Sequence, residues 1–119
     1  MKTSKKTMNI FKEIDAREHL KPYALSKISI ALAIRSGYKY TGEKTDTLGL
    51  ELDQDTITGK NRLLYKKLIE FNEEKSIPEE EYYPAYLKAY IDFGASLLEQ
   101  EYKYSTDFYI HLVELDKAI

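Results

Sequence analysis

The chain of 119 residues contains no cysteine and only two histidines. The lack of cysteine excludes disulfide bonds, cysteine-ligated zinc, iron–sulfur clusters and thiol catalysis, and it is compatible with a reducing cytoplasm. Long apolar runs are also absent. The most hydrophobic window, residues 28–34, is interrupted by Ser29 and is too short to span a bilayer. We therefore expect a cytoplasmic protein that does not insert into membranes.

The segments that suggest catalysis or metal binding each lack something that the chemistry requires. His19 and His111 are far apart in the sequence, and no pattern places them together. Asp53 and Asp55 lack the alternating ligands and the glycine of a calcium loop. Residues 79–81 are an acidic run of the kind that is usually solvated in a turn. We accordingly predict no catalytic residue, no metal ion and no cofactor.

Residues 54–61, QDTITGKN, are similar to a nucleotide-binding P-loop, G-x-x-x-x-G-K-[ST]. The first glycine of that motif is replaced by Gln54, and its magnesium-binding hydroxyl residue is replaced by Asn61. No apolar strand precedes the segment. The sequence therefore does not predict an NTPase.

Charge is divided unevenly along the chain. Residues 1–40 carry nine Lys/Arg and three Asp/Glu, whereas residues 41–119 carry nine and seventeen. A basic segment of this kind can attract nucleic acid or acidic lipid. A soluble tail and ordinary solvated helix faces give the same composition, so net charge alone does not choose between these alternatives.

The apolar spacing predicts an all-α fold, a compact single domain over residues 1–119 with about five helices and one long ordered loop. Residues 1–7 lack a helical pattern and are predicted to be mobile. Pro22 at a first helical position and Gly37 just past the last turn delimit the clearest helix. Gly94 predicts a close helix–helix approach, because glycine inside a helix costs about 1 kcal/mol relative to alanine. The other helices are predicted over residues 9–20, after Thr58, from Pro84, and after Ser105 or Thr106.

The long loop is predicted over residues 37–58, with a short extended piece where leucines alternate over residues 48–52. Loops of this length inside a compact domain are usually functional or lie at an interface. Thr58 is predicted to cap the next helix, whose first N–H groups form a candidate phosphate site with Lys60 and Arg62. A capped helix with solvated basic side chains explains the same residues.

The helix after Thr58 and the tyrosines supply further apolar surface. Leu64, Leu68 and Phe71 recur at helical spacing, with Tyr65 and Ile69 beside them. The chain contains eleven tyrosines, several of them within residues 82–90 and 102–109. Tyrosine suits sites where the ring is buried and the hydroxyl remains hydrated. The edge of a core and a subunit interface both fit this pattern, and the sequence leaves the two open.

Three short patterns, in their order and spacing, resemble the DndE family, the small proteins of bacterial DNA phosphorothioation systems. Residues 51–59, ELDQDTITG, are similar to the family's glutamate followed by Thr-Leu-x-Gly before an apolar helix. Residues 91–98, IDFGASLL, match its Ile-x-x-Gly-x-x-x-Leu helix, and residues 20–29, LKPYALSKIS, resemble its proline-containing helix start. The resemblance covers roughly residues 18–101.

The resemblance implies a small, helical, homo-oligomeric accessory protein, tetrameric in form, without catalytic residues. Such a protein binds duplex DNA, with a preference for nicks, while the other subunits of the sulfur-modification machinery replace a backbone oxygen with sulfur. Gln54 and Phe93 stand where the family tends to have basic residues. Contacts are expected mainly with phosphates. The candidate DNA-binding residues are Lys21, Lys27, Arg35, Lys39, Lys60 and Arg62.

A second hypothesis is a helical protein-interaction scaffold that docks partner subunits of the same system without touching DNA. It would use the tyrosines and the acidic C-terminal half. A transcription regulator would need a sequence-specific recognition element, which the sequence does not show.

Overall fold

The computed structural model describes residues 1–103 and is built from helices. The long helices span Lys5–Glu18 (α1), Pro22–Arg35 (α2), Arg62–Glu73 (α4) and Leu87–Lys103 (α6). Two short helices span Gln54–Thr58 (α3) and Glu79–Glu81 (α5). A 3₁₀ turn, Gly59–Asn61, follows α3, and a π-type turn, Tyr82–Tyr86, follows α5. The predicted all-α fold is confirmed, and the helix predicted after Ser105 lies outside the described residues.

Helices α2 and α6 pack backbone against backbone. A Cβ atom on Gly94 would lie 1.8 Å from the carbonyl oxygen of Ser29. The Ser29 hydroxyl turns back on its own helix and donates to the Leu25 carbonyl at 2.7 Å, so this buried group is satisfied. The close helix–helix approach that Gly94 predicts is confirmed.

The hydrophobic core lies among α1, α2, α3 and α6, with further side chains from the loops. Its members are completely or almost completely excluded from solvent. The largest fully buried apolar side chains are Phe11, Ile14, Leu25, Ile30, Ile57, Ile69, Tyr82, Leu87, Tyr90, Ile91 and Leu98. Within residues 1–103, no helix has both the length and the hydrophobicity that a membrane crossing requires.

Three of the clustered tyrosines belong to this core. Tyr82, Tyr86 and Tyr90 are buried within the chain itself. The Tyr90 hydroxyl donates to the Glu73 carboxylate at 2.5 Å and accepts from the Asn72 side chain at 2.7 Å. For these three residues the structure favours the core interpretation over the subunit interface. The later tyrosines at 104 and 109 lie outside the described residues.

The first residues are paired with the long loop, whereas the sequence predicts that residues 1–7 are mobile. The Thr3 N–H donates to the Leu50 carbonyl, and the Gly49 N–H donates to the Thr3 carbonyl, each at 2.9 Å. The extended piece predicted over residues 48–52 is thus present and finds its partner here. Helix α1 starts at Lys5, four residues earlier than predicted, because the Ser4 hydroxyl accepts from the Thr7 N–H at 3.1 Å.

Thr58 ends α3 instead of capping α4, so the predicted cap is wrong. Its hydroxyl donates to the Gln54 carbonyl at 3.1 Å, one turn back in the same helix. Gly59 then adopts a φ of 53°, a conformation that favours glycine. Helix α4 starts only at Arg62 and has no side-chain cap. The long loop accordingly ends at Asp53, since residues 54–58 are helical.

The apolar stripe of α4, which consists of Leu64, Leu68 and Phe71, faces solvent. Phe71 is 85% exposed, and Ile69 is the buried residue of this helix. The helix therefore rests on the core through Ile69 and leaves the stripe without a partner in residues 1–103. Leu63, elsewhere on the circumference of α4, is also exposed.

The approach to α6 is broken at Tyr83, which has extended backbone angles (φ −117°, ψ 125°) between helical turns. Pro84 follows directly and resumes the helical course, as the sequence predicts. Because Pro84 has no N–H, it fits the start of this run without losing a backbone hydrogen bond.

Candidate nucleic-acid interface

Two of the candidate DNA-binding residues share one exposed face of α2. Lys27 and Arg35 are eight residues apart, with the exposed Ala31 midway between them. At 1.5 Å per residue their Cα atoms are separated by about 12 Å along the helix axis. Neither side chain forms a salt bridge within residues 1–103. This stripe presents two unpaired cations to solvent.

The other four candidates lie on separate segments and are engaged to different degrees. Lys21, before the first turn of α2, is 3.8 Å from the Asp15 carboxylate. Lys39, in the loop after α2, donates to the carbonyl of Asn72. Lys60 lies in the 3₁₀ turn, is exposed and forms no salt bridge with any described residue.

The proposed phosphate site at the start of α4 is already neutralised in part. The Glu79 carboxylate lies 3.2 Å from Arg62 and 3.1 Å from Lys66. The hydrogen bonds from Lys66 and Arg62 outweigh the effect of burial and lower the pKa of Glu79, so this group remains ionised. The backbone N–H of Arg62 also donates to the Gly59 carbonyl. An incoming phosphate would have to displace Glu79 here.

Sequence reasoning missed three further basic residues: two lie in the segment that was predicted to be mobile, and the third lies in the helix predicted over residues 9–20 but was not chosen as a candidate. Lys5, Lys6 and Lys12 are exposed on α1, which is continuous from Lys5. Lys5 and Lys12 are seven residues apart, so they share one side of the helix. The pattern Ser4-x-x-Thr7 is the signal that could have placed the helix start correctly.

A groove of about 690 Å³ lies between the loop after α2, the start of α1, and α6. Tyr38 and Phe93 form one wall, with their rings stacked at 4.2 Å and 18° between planes. Tyr90 contacts Tyr38 edge-on at 5.1 Å. The loop is therefore held against α6 by aromatic packing.

Asp92 ties the same three segments together beneath the groove. Its carboxylate accepts from the Ser4 N–H at 3.1 Å and from the Thr7 hydroxyl at 2.7 Å. The Thr45 hydroxyl and the Lys88 ammonium, the latter at 2.7 Å, occupy its second oxygen. With four donors, Asp92 acts as a structural junction.

Comparison with known proteins places the chain in a family. A family model described as DNA sulphur modification protein DndE matches residues 1–106. The chain belongs to the DndE family. The crystal structure of DndE from Escherichia coli B7A, described as involved in DNA phosphorothioation modification, is similar with a TM-score of 0.67 and 17% identity. The similarity covers 82% of this chain and 93% of that one and shows a shared fold. No curated protein matches the chain in a sequence search.

The glycines of the DndE-like patterns have defined structural roles in this chain. Gly59 supplies the positive φ between α3 and the turn before α4, and Gly94 admits the backbone of α2. The two departures from the DndE pattern differ in setting. Gln54 is buried, and its Nε2 has no hydrogen-bond partner within residues 1–103. Phe93 is exposed and stacks on Tyr38.

The part of this DndE-family chain that the structure describes contains no cluster of three potential metal ligands. His19 is the C-cap of α1, exposed and with a φ of 59°. His111 lies outside the described residues. The described residues thus offer candidate basic side chains on several segments and, apart from them, an aromatic groove lined by other lysines.

Proposed function

We propose that this chain is a non-enzymatic, cytoplasmic accessory subunit of a DNA phosphorothioation system. It binds duplex DNA, preferably nicked, through phosphate contacts, while other subunits carry out the sulfur chemistry. The observation that carries the proposal is the match of the DndE family model to residues 1–106. The description of the Escherichia coli relative, which names DNA phosphorothioation, supports the same assignment.

Exposed cations support phosphate contacts as the mode of binding. Three of the six candidate residues form neither a salt bridge nor a side-chain hydrogen bond within residues 1–103, and two more belong to exposed salt bridges. Exposed salt bridges contribute roughly 0–1 kcal/mol each, so a phosphate can replace the carboxylate at low cost. The unpaired residues are Lys27, Arg35 and Lys60, and the paired ones are Lys21 and Arg62. Lys39 would exchange the Asn72 carbonyl for a phosphate.

The test is fluorescence anisotropy with a labelled duplex, intact or carrying one nick, at about 50 and 200 mM salt. We expect binding that weakens steeply with salt and is tighter for the nicked duplex. The double variant Lys27→Glu/Arg35→Glu places two negative charges on α2 and should weaken binding to both duplexes at least tenfold.

Lys103→Glu is the matched control, because Lys103 is exposed but lies outside the six candidate residues. It should change the affinity by less than a factor of three. Absence of binding to either duplex at the lower salt concentration, with and without the partner subunits, would refute the DNA-binding role.

The exposed stripe of α4 favours a second candidate function, the docking of another protein subunit. Leu64, Leu68 and Phe71 lie in one row on the helix surface and are all exposed. Contiguous apolar surface of this kind marks interaction sites. We propose that a second copy of the chain covers it, which would make the protein a homo-oligomer, with a tetramer expected from the family resemblance.

The charge pattern of α4 favours this partner. Basic residues occupy the first half of the helix and acidic residues the second half, from Arg62 to Lys67 and from Glu70 to Glu73. Two copies of α4 in antiparallel register would place each basic half opposite an acidic half. Such a contact is self-complementary about a two-fold axis, as isologous interfaces require.

Size-exclusion chromatography with light scattering tests the interface. Leu68→Lys introduces like charge at the centre of the stripe, so the oligomer should dissociate. A wild-type chain that is monomeric at all concentrations would refute self-association. If the wild-type monomer instead binds a purified partner subunit through the same stripe, the docking scaffold is the better description.

A further inference from the structure

The groove beside α6 contains an exposed aromatic ring and two lysines without salt bridges in residues 1–103. The proposed duplex contacts use none of these side chains. The groove's volume of about 690 Å³ lies within the range of small-molecule sites. One wall is formed by the turn before α6 and by α6 itself, where Ala85 and Ala89 precede Phe93 at four-residue intervals. Two methyl groups followed by an aromatic ring give this wall a smooth, apolar surface with space above it.

Phe93 offers an accessible aromatic surface in this groove. Tyr38 covers one face of its ring, yet Phe93 remains 39% exposed, so the opposite face and the edge are open. Tyr38 is itself fixed, because Tyr90 packs against its ring and its hydroxyl donates to Glu43. The pair is thus a pre-ordered platform of the kind on which planar bases stack.

The three carboxylates that line the groove are all occupied by hydrogen bonds from the chain. Burial by itself would raise the pKa of Glu43. Its carboxylate accepts hydrogen bonds from Thr41 and Tyr38, whose combined effect is larger and lowers the pKa to about 2. Asp46 accepts from the backbone N–H groups of Leu48 and Lys5, which lower its pKa. The third, Asp92, has the four donors described above.

Two lysines that line the groove are uncommitted. Lys6 in the first turn of α1 and Lys44 in the loop are exposed and form no salt bridge with any residue in 1–103. Lys88, by contrast, is held by Asp92 and by the Asp46 carbonyl at 2.8 Å. The groove therefore presents one aromatic face and two free positive charges.

We propose that this groove binds a single nucleoside phosphate unit, with the base stacked on Phe93 and the phosphate bound by Lys6 and Lys44. The choice of an unpaired nucleotide in a DNA strand as its source rests on the proposed function. A free mononucleotide has the same chemistry. A phosphotyrosine peptide is also a planar aromatic anion, but the family description as a DNA sulphur modification protein favours the nucleotide.

The experiment measures binding of a labelled single-stranded oligothymidylate by anisotropy, with unlabelled dTMP as competitor. Phe93→Ala should weaken oligothymidylate binding about tenfold, and Phe93→Tyr should restore it, because base stacking requires the ring. Lys44→Gln should weaken it about threefold. Gln100→Ala is the matched control, since it truncates an exposed side chain of the same helix outside the groove and should leave binding unchanged.

The dTMP arm distinguishes the two sources of the nucleotide. Displacement of the oligonucleotide by dTMP at a similar concentration would support binding of a free nucleotide, and tighter binding of the strand would support an unpaired nucleotide of DNA. Phe93→Leu keeps an apolar side chain without a ring, so it replaces Phe93→Ala if circular dichroism shows that the alanine variant is unfolded.

Equal oligothymidylate affinity for folded wild-type, Phe93→Leu and Lys44→Gln chains would overturn the proposal. Binding of a phosphotyrosine peptide, but of neither oligothymidylate nor dTMP, would also overturn it. Failure of the duplex-binding test is separate, because the wild-type chain would then still bind oligothymidylate in a Phe93-dependent way. Conversely, if the chain binds duplex DNA but the Phe93 variants bind oligothymidylate as tightly as wild type, only the proposal for the groove is refuted.

Discussion

Gly94 shows how one residue sets the distance between two helices. Its missing side chain leaves room for the backbone of Ser29, with no flexible atom there that could move aside. The loss of conformational entropy at a helical glycine is offset by the packing of α2 against α6. The residue is therefore irreplaceable for a steric reason.

Gly94→Ala should lower the free energy of unfolding by about 3 kcal/mol, because the two backbones must separate to admit a methyl group. Urea denaturation followed by circular dichroism measures this change. Gln100→Ala, at an exposed position of the same helix, should change stability by less than about 0.5 kcal/mol. Similar stabilities of the two variants would contradict the packing described here.

Glu43 should make the loop after α2 sensitive to acid. Its pKa of about 2 in the folded chain lies below its usual value of 4.5, so its contribution to stability is complete above pH 4.5 and is lost as the pH falls toward 2. The difference in unfolding free energy between wild type and Glu43→Gln should therefore shrink over this pH range. A difference that is constant from pH 6 to pH 2 would show that the hydrogen bonds from Thr41 and Tyr38 do not favour the ionised form.

At the scale of elements, Asp92 joins α1, the long loop and α6 through one carboxylate. Asp92 is buried and Lys88 is largely so, with side-chain exposures of 4% and 14%. Removing one member of a buried pair leaves the other charge uncompensated, which costs far more than the pair contributes.

Asp92→Ala should lower the free energy of unfolding by about 3–5 kcal/mol. It removes the carboxylate that pairs with Lys88, and three other donors lose their hydrogen-bond acceptor. Adding Lys88→Met should recover part of this loss, so the double variant should be more stable than the sum of the single changes predicts. Chemical denaturation of the four chains gives the coupling energy. Strict additivity would mean that the two charges do not interact.

The helices themselves were largely predictable, and the exceptions have local causes. Pro22, Gly37 and Gly94 act through backbone geometry that depends on residue type alone, so the bounds of α2 and its approach to α6 followed from sequence. The start of α1 and the role of Thr58 depended on which of several competing hydrogen bonds forms. The outward orientation of the α4 stripe depended on the position of the whole helix, which spacing does not specify.

At the scale of the whole molecule, the candidate basic residues lie on separate segments and do not form one continuous patch. Their grouping in space could be predicted from the sequence only in part. Lys27 and Arg35 could be grouped from their helical spacing alone. The partners of Arg62 and Lys39, which are Glu79 and the Asn72 carbonyl, come from distant segments. The groove was not predictable either, because its walls come from three separate stretches of the chain.

The electrostatic part of DNA binding should follow the number of cations engaged. Each lysine that contacts a phosphate contributes about 0.9 to the slope of log affinity against log salt concentration. Lys27→Gln and Lys60→Gln should therefore each reduce the slope by about one, and the double variant by about two. Affinities measured over a salt series test this, and an unchanged slope would exclude these side chains as phosphate contacts.

The pairing of residues 1–4 with the loop and with Asp92 has a consequence for how the chain is made. The Ser4 N–H and the Asp92 carboxylate are separated by 88 residues. At a synthesis rate of about 5–20 residues per second, Ser4 waits roughly 4–18 s before its partner exists. Contacts of such long range also slow folding in comparison with helical bundles built from local contacts. The groove is consequently among the last features to form, because its α6 wall exists only after that helix has been synthesised.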